Sequence, residues 1–199
     1  NYRNLRKNYS VDCLNDSQVP NDPFELFKKW FNEVTNAGGV EEVNAMTLST
    51  INAKGILKGR IVLLKELSEN GFIFYTNYNS NKSKAIKVNP NVSLSFFWPN
   101  LERQVIISGF VKKIAASISD SYFNSRPRGS QLGAHVSNQS QPLESRNVLE
   151  KRKVDLEKQF YKKEIPRPFH WGGFVVSPKE IEFWQGRPNR LHDRICYYK

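Results

Sequence analysis

Three stretches of this chain gather side chains able to grip a phosphate or work beside one. The first is Tyr122-Phe123-Asn124-Ser125-Arg126-Pro127-Arg128-Gly129-Ser130-Gln131. A phenol, a guanidinium fork and a Ser hydroxyl can converge there on one monoester, with Pro127 stiffening the turn. The competing reading is an ordinary basic helix-to-loop junction. The second is Tyr75-Thr76-Asn77-Tyr78-Asn79-Ser80-Asn81-Lys82, where a strand gives way to a helix. Hydroxyls, unpaired first-turn N–H groups and a lysine at a helix N-terminus favour an anion. The third, Glu182 to Arg194, packs an indole, three guanidiniums, an imidazole and two carboxylates around a turn at Gly186–Asn189. Its period-2 lead-in, Ile181-Glu182-Phe183-Trp184, predicts a hairpin that puts Arg190, His192 and Arg194 on one face of the returning strand. Such cations repel one another unless an anion sits among them, although charge on an edge strand is also a common guard against aggregation.

The elements that must carry these groups are legible from periodicity. Asp22 caps a helix with Pro23 at its first position, and Phe24, Phe27, Trp30, Phe31 and Val34 form a core stripe that ends at Gly38-Gly39. Strands are predicted at 45–51, 56–67, 72–76, 92–98, 103–114, 172–176, 181–184 and 191–198, with turns at Asn52–Gly55 and Glu69–Gly71. Helices are predicted at 82–88, 119–124, 130–136 and 144–161, the last a charged surface helix with only Leu149, Leu156 and Phe160 as apolar positions. Short antiparallel strands joined by tight turns suggest a barrel. The fold class expected is mostly β with flanking helices, α+β, with residues 1–20 an irregular arm and 21–199 a single domain.

At 199 residues and 39% hydrophobic content the chain can bury one core and is no disordered polymer. A net charge of +11 points to anionic partners without choosing among nucleic acid, acidic lipid and phosphorylated metabolites. Cys13 and Cys196 have no metal-ligand or disulfide-framework spacing, so no metal and a reduced, cytoplasmic setting are expected. The sequence shows no apolar run long enough to span a bilayer and no signal-peptide core, and its first residue, which is not Met, suggests a trimmed start.

The wording of the motifs narrows this further. Glu-Phe-Trp-Gln-Gly-x-x-x-Arg-Leu-His-Asp-Arg, here Glu182 to Arg194, resembles the C-terminal signature of the pyridoxine (pyridoxamine) 5′-phosphate oxidases. Arg60-Ile61-Val62-Leu63-Leu64-Lys65, Leu101-Glu102-Arg103-Gln104-Val105, Tyr122 to Gln131 and Val136-Ser137-Asn138-Gln139-Ser140 resemble further motifs of that family, so the likeness runs from Asp22 to Tyr198. It implies an antiparallel split β-barrel that binds FMN as a homodimer. It also implies oxidation of pyridoxine and pyridoxamine 5′-phosphates to pyridoxal 5′-phosphate, with molecular oxygen as acceptor and hydrogen peroxide as by-product.

The resemblance assigns FMN to Arg60, Ile61, Val62, Leu63, Leu64, Lys65, Tyr75, Thr76, Asn81, Lys82, Gln104, Gln139, Ser140, Trp184 and Arg194. Of these, Gln139, Ser140, Trp184 and Arg194 would come from the second protomer. Substrate falls to Lys65, Tyr122, Arg126, Ser130, Arg190, Leu191 and His192, and to Arg6 and Tyr9 of the arm, with Arg190 and His192 beside the reacting carbon. The family usually reads Ser-Arg-Lys where this chain has Ser80-Asn81-Lys82. Losing that guanidinium removes a contact of about 1.5–3 kcal/mol, which Lys84 can partly replace. The family also continues past the final strand to an Arg-Leu-x-Pro end, so a further segment is expected beyond Lys199. Two rival functions remain on sequence grounds. A flavin reductase on the same barrel would need only the flavin segments, and a basic nucleic-acid-binding barrel would explain the charge but not the motif positions. Neither nucleic acid nor membrane is the expected partner.

Overall fold

The structure, a computed structural model, describes Asn1–Lys199 apart from the side chain of Gln18. Helix α1, Pro23–Ala37, begins where the Asp22 carboxylate accepts the Phe24 N–H at 2.8 Å, and ends at Gly38 in the left-handed region. Its buried face is Leu26, Phe27, Trp30 and Val34. Phe27 meets Phe72 and Phe96 edge-on at 5.0 and 5.2 Å, so this one helix is the plug of the main core.

That core is enclosed by one antiparallel sheet. Its strands are β1 (Ala45–Ile51), β2 (Leu57–Leu63), β3 (Glu66–Ser68), β4 (Gly71–Asn77), β5 (Asn91–Trp98), β6 (Arg103–Lys113), β7 (Trp171–Gln185) and β8 (Asp193–Tyr198). They lie in the order β2-β1-β5-β6-β7-β4-β3, with β8 also on β7. The sheet curls because β7 changes partner along one edge: Trp171–Val176 pairs with β4, and Glu180–Gln185 with β8. The curl is sharpened by a register shift at Ser108/Gly109, opposite Pro178. A Cβ on Gly109 would collide with the Ser177 carbonyl, so only glycine lets the two strands pass there. The expected antiparallel split barrel is the fold observed.

Four predicted strands differ from the structure. The run 56–67 breaks at Leu64-Lys65, because the chain there leaves β1 for β4: Leu64 N–H donates to Asn44 O and Lys65 N–H to Ile73 O. The runs 172–176 and 181–184 are one strand, the bulge absorbing the non-alternating Ser177-Pro178. Strand β8 starts at Asp193 and not at Leu191, since Pro188–Arg190 form a single 3-10 turn with Asn189 and Arg190 both at positive φ. Arg190 therefore does not share a strand face with His192 and Arg194.

Four more helices complete the chain: α2 (Asn81–Val88), α3 (Ala116–Ser125), α4 (Arg128–Val136) and α5 (Arg146–Gln159). A second apolar cluster of Phe123, Leu132, Ile165 and Trp171 fastens α3 and α4 to the start of β7. Helix α5 buries nothing fully, as its composition predicts. Among the described residues, no helix is long and apolar enough to cross a membrane.

Candidate active site

The ends of β2 and β4, the start of α2 and the α3–α4 corner surround a cavity of ≈ 450 Å³. In β4, Tyr75 is half-buried and Thr76 and Asn77 are buried at the strand end. The chain then turns into α2, capped by the Ser80 hydroxyl, which accepts the Ser83 N–H. That turn aims Lys82 inward: its Nζ donates to Gln139 Oε1 at 2.7 Å, Thr76 Oγ1 at 3.1 Å and Ser80 Oγ at 3.4 Å. Burial, then the nearby Arg60 guanidinium, pushes Lys82 down to about 8. Arg60 is itself lowered by burial, while its Nη1 donates to Leu48 O and Thr50 Oγ1.

The opposite wall is aromatic. Tyr75 and Tyr122 stack at 3.9 Å, and Trp171 lies nearly parallel to both. Burial first, and the Glu66 charge second, pushes the Tyr75 hydroxyl up to about 12, and burial raises Tyr122, so both remain protonated donors near neutral pH. The Arg126 guanidinium sits 4.5 Å over the Trp171 ring, and its Nη1 is buried with no hydrogen-bond partner. Ser130 of α4 and Lys65 complete this rim. Among the described residues no carboxylate forms an ion pair with Arg60, Lys65, Lys82 or Arg126. Three cations, Lys65, Lys82 and Arg126, line this cavity, one of them with an unused donor, a set suited to an anion.

Several sequence-predicted residues thus come together: Ile61, Val62, Leu63, Lys65, Tyr75, Thr76, Lys82, Tyr122, Arg126, Ser130 and Gln139 all face the cavity. Leu64 instead points into the main core. Asn81 and Ser140 lie just outside, where Asn81 N–H donates to Ser140 Oγ at 3.2 Å. Arg60 and Asn81 line an adjoining hollow of ≈ 350 Å³ together with Lys54, Lys58 and Lys84. Gln139 and Ser140, expected from the resemblance to serve a second protomer, lie here against Lys82 and Asn81 of the same chain. A turn with Ser140 at φ 69 folds this segment back onto Lys82 and Asn81 of its own chain.

The remaining predicted residues gather elsewhere. Trp184 lies thirteen residues along β7 from Trp171, roughly 40 Å of extended strand. Gln104 pairs with it in register on β6. Trp184 and His192 meet at 4.6 Å, and Tyr9 packs edge-on against them at 5.8 and 5.6 Å. His192 Nδ1 accepts the Arg187 N–H at 3.0 Å, which leaves Nε2 as the protonated nitrogen of the neutral ring. Arg190 and Leu191 project from the turn into solvent, Arg6 is exposed, and Arg194 pairs with Glu182 at 2.9 Å. The arm is not frayed: Lys7, Ser10 and Val11 dock on Glu102.

Sequence reasoning passed over Trp171, Asn77, Gly133, Ala134 and Ser137, which also line the cavity. The one available signal was a tryptophan directly before Gly172-Gly173. A Cβ on Gly172 would meet the Tyr78 hydroxyl and one on Gly173 the Tyr75 and Ile114 side chains, so that Trp-Gly-Gly run marks a crowded wall.

A curled antiparallel sheet with a cation-lined cavity at its α3–α4 corner defines this molecule as a split-barrel protein whose cavity is suited to an anion. Comparison with known proteins is more specific. Residues 35–160 match the family described as "Pyridoxamine 5'-phosphate oxidase", and residues 171–199 match "Pyridoxine 5'-phosphate oxidase C-terminal dimerisation region". The chain belongs to the pyridoxamine 5′-phosphate oxidase family. It is 59% identical over 194 residues to a pyridoxine/pyridoxamine 5'-phosphate oxidase of Flavobacterium psychrophilum, covering 98% of this chain and 91% of that one. Identity to a Nostoc punctiforme protein of the same name is 51% over 193 residues, covering 97% and 90%. Among solved structures, PhzG from Burkholderia lata, in complex with tetrahydrophenazine-1-carboxylic acid, superposes with a TM-score of 0.89 at 28% identity, covering 96% and 94%. A pyridoxamine 5'-phosphate oxidase-related, FMN binding protein from Nostoc punctiforme shares the fold at a TM-score of 0.72 and 13% identity, covering 91% and 93%.

Proposed function

We propose that this chain oxidises pyridoxine and pyridoxamine 5′-phosphates to pyridoxal 5′-phosphate, using FMN and molecular oxygen and releasing hydrogen peroxide. The observation that carries the reading is the set of unneutralised cations, Lys65, Lys82 and Arg126 around one cavity and Arg60 in the adjoining hollow, with Arg126 Nη1 buried and unpartnered. Two phosphate-bearing molecules are what such a set can satisfy. The residues fit FMN: Arg60, Lys82, Thr76 and Gln139 would hold it, and the cavity is of ligand size. When bound, FMN supplies the hydride acceptor and the route for electrons to oxygen.

The chain's own groups do the rest. Arg126, Tyr122, Ser130 and Lys65 hold the substrate phosphate, two of them as neutral hydroxyl donors and two as cations. The Tyr75, Tyr122 and Trp171 wall keeps water from that side of the cavity. His192, its Nδ1 occupied by the Arg187 N–H, can exchange a proton only at Nε2, so beside the substrate it acts through that nitrogen, with Arg190 fixing the ring. Because His192, Arg190, Trp184 and Arg194 lie at the far end of β7 from their own cavity, they serve the cavity of a second copy. A two-fold homodimer completes both sites at once. The reading includes a cytoplasmic setting, supported by two unpaired cysteines, Cys13 and Cys196.

The test is to reconstitute the purified chain with FMN, record the visible spectrum and assay peroxide release with each phosphorylated vitamer. A bound flavin spectrum and peroxide formation are expected. A chain that takes up no flavin, or takes up FAD in preference, overturns the reading.

A further inference from the structure

Glu102 is a buried carboxylate that none of the roles above uses. It sits at the tip of the β5–β6 hairpin, 1% exposed, with φ at +56. That left-handed backbone is rare for a residue with a side chain. It lets Glu102 face two ways. Its carbonyl accepts the Gly186 N–H at 2.8 Å, tying it to the loop that follows β7. Its carboxylate turns to the arm: Oε2 accepts the N–H groups of Ser10 and Val11 at 2.8 and 3.0 Å, and Oε1 pairs with Lys7 at 2.8 Å. Burial alone would raise this carboxyl, but Lys7 and the two N–H donors outweigh it and hold the group below the usual carboxylate range.

Two further anchors flank the same stretch. Arg103, 4% exposed and laid over Trp30, binds Asp12 at 2.7 Å while holding Glu33 and Gln185. Asp193 Oδ2 accepts the Leu14 N–H at 2.9 Å. Between Lys7 and Ser10, the paired positions on Glu102, lies Tyr9. Its ring stands edge-on to Trp184 and His192 in a seat opened by Gly186, where a Cβ would come within 2.8 Å of Tyr9 Cγ. The arm meets the Trp184–His192 pair through Tyr9, and the backbone directly after Tyr9, at Ser10 and Val11, is the part that Glu102 holds.

We propose that Glu102 is a positioning residue for the oxidation: by gripping the Ser10 and Val11 amides it presses the Tyr9 ring against His192 and Trp184, fixing the imidazole for the substrate. Glu102 touches no substrate or cofactor and acts through Tyr9. The inference rests on the oxidase reading above, because it needs His192 to face the vitamer.

The experiment compares FMN-loaded wild type with Glu102→Gln, Tyr9→Ala and Tyr9→Phe, by steady-state kinetics on both vitamers and by amide hydrogen exchange. The carboxamide keeps the shape of Glu102 but sets its NH2 or a weaker oxygen against the two amides. In Glu102→Gln, exchange at Ser10 and Val11 should accelerate about tenfold or more, α1 and β6 staying protected, and kcat/KM should fall about tenfold with FMN affinity within about twofold of wild type. Tyr9→Ala should lose as much activity. Tyr9→Phe should recover most of it, because the buttress is the ring face and edge. Faster exchange with unchanged kcat/KM would make the strap structural only and overturn the proposal, as would unchanged exchange. Tyr9→Phe failing like Tyr9→Ala would assign Tyr9 a hydroxyl role and overturn it too. A wild type with strong Ser10 and Val11 protection but no vitamer oxidation would instead refute the oxidase reading, and the positioning role with it.

Discussion

Lys82 Nζ donates to Gln139 Oε1 at 2.7 Å, so the helix that follows β4 and the segment that follows α4 meet at a half-buried ammonium with no carboxylate beside it. This lysine gives the site its pH dependence. In the free protein it titrates near 8, lowered by burial and by Arg60. A bound phosphate favours the charged form, so above pH 8 binding must take up a proton. Affinity for FMN is expected to be flat below about pH 7 and to fall about tenfold between pH 7 and 9. Flavin-fluorescence titrations measure this, and Lys82→Met should bind weakly with a flat profile over the same range. The sign for stability of the ligand-free fold is opposite. Between about 8 and the ordinary 10.5 the unfolded chain holds more protons on this group, so its contribution to stability rises with pH in that window.

Arg126→Ala removes the guanidinium that rests on Trp171 and carries the unused buried donor. KM for the phosphorylated vitamers should rise about 10- to 100-fold, the loss expected for one charge-assisted contact of ~1.5–3 kcal/mol. Flavin content should be unchanged. Loss of FMN with substrate affinity kept would show that this part of the cavity holds the cofactor.

Asn81 and Lys84 share the hollow beside Arg60. If Lys84 supplies charge that Asn81 lacks, Lys84→Ala should weaken FMN binding about three- to tenfold, and Asn81→Arg should strengthen it by about the same factor. Equilibrium dialysis of apoprotein against FMN reads both without reference to turnover. No change in either variant would leave Lys82 and Arg60 as the anion's sole partners there.

The fold was legible wherever its cause is local. Asp22-Pro23 and Gly38-Gly39 bound α1 by capping and backbone preference, and Asn52–Gly55 turns the β1–β2 hairpin through its own Asx contacts. Breaks with distant causes were not legible. Leu64 leaves β1 because Asn44 and Ile73 hold its neighbourhood, and β7 stays one strand because Gly109 of β6 makes room for its bend. The site divides along the same line. The motif residues of β2, β4, α3 and α4 could be named, but no local pattern says that Gln139 folds back on its own Lys82, that Trp171 carries Arg126, or that Glu102 holds the arm.

The separation of Trp171 from Trp184 along β7 makes a final prediction about assembly. One chain owns the cavity with Lys82 and Gln139 and the adjoining hollow with Arg60, and the His192–Trp184 group stands at the other end of its longest strand. A two-fold dimer would let each protomer's β7–β8 end serve its mate's cavity. Arg60→Ala/Lys82→Ala chains carry a damaged cavity and an intact end. Trp184→Ala/His192→Ala chains carry the reverse. Each should be nearly inactive alone. A mixed dimer pairs one intact cavity with one intact end, so activity should return to roughly half that of wild type per heterodimer by the symmetry count. Because Gln139 belongs with Lys82 in its own chain, a Gln139→Ala chain should be rescued by the second variant and not by the first. Heterodimers confirmed by native mass spectrometry but without recovered activity would mean that each site is built within one chain, and rescue of Gln139→Ala by the cavity-damaged partner would return that residue to the opposite protomer.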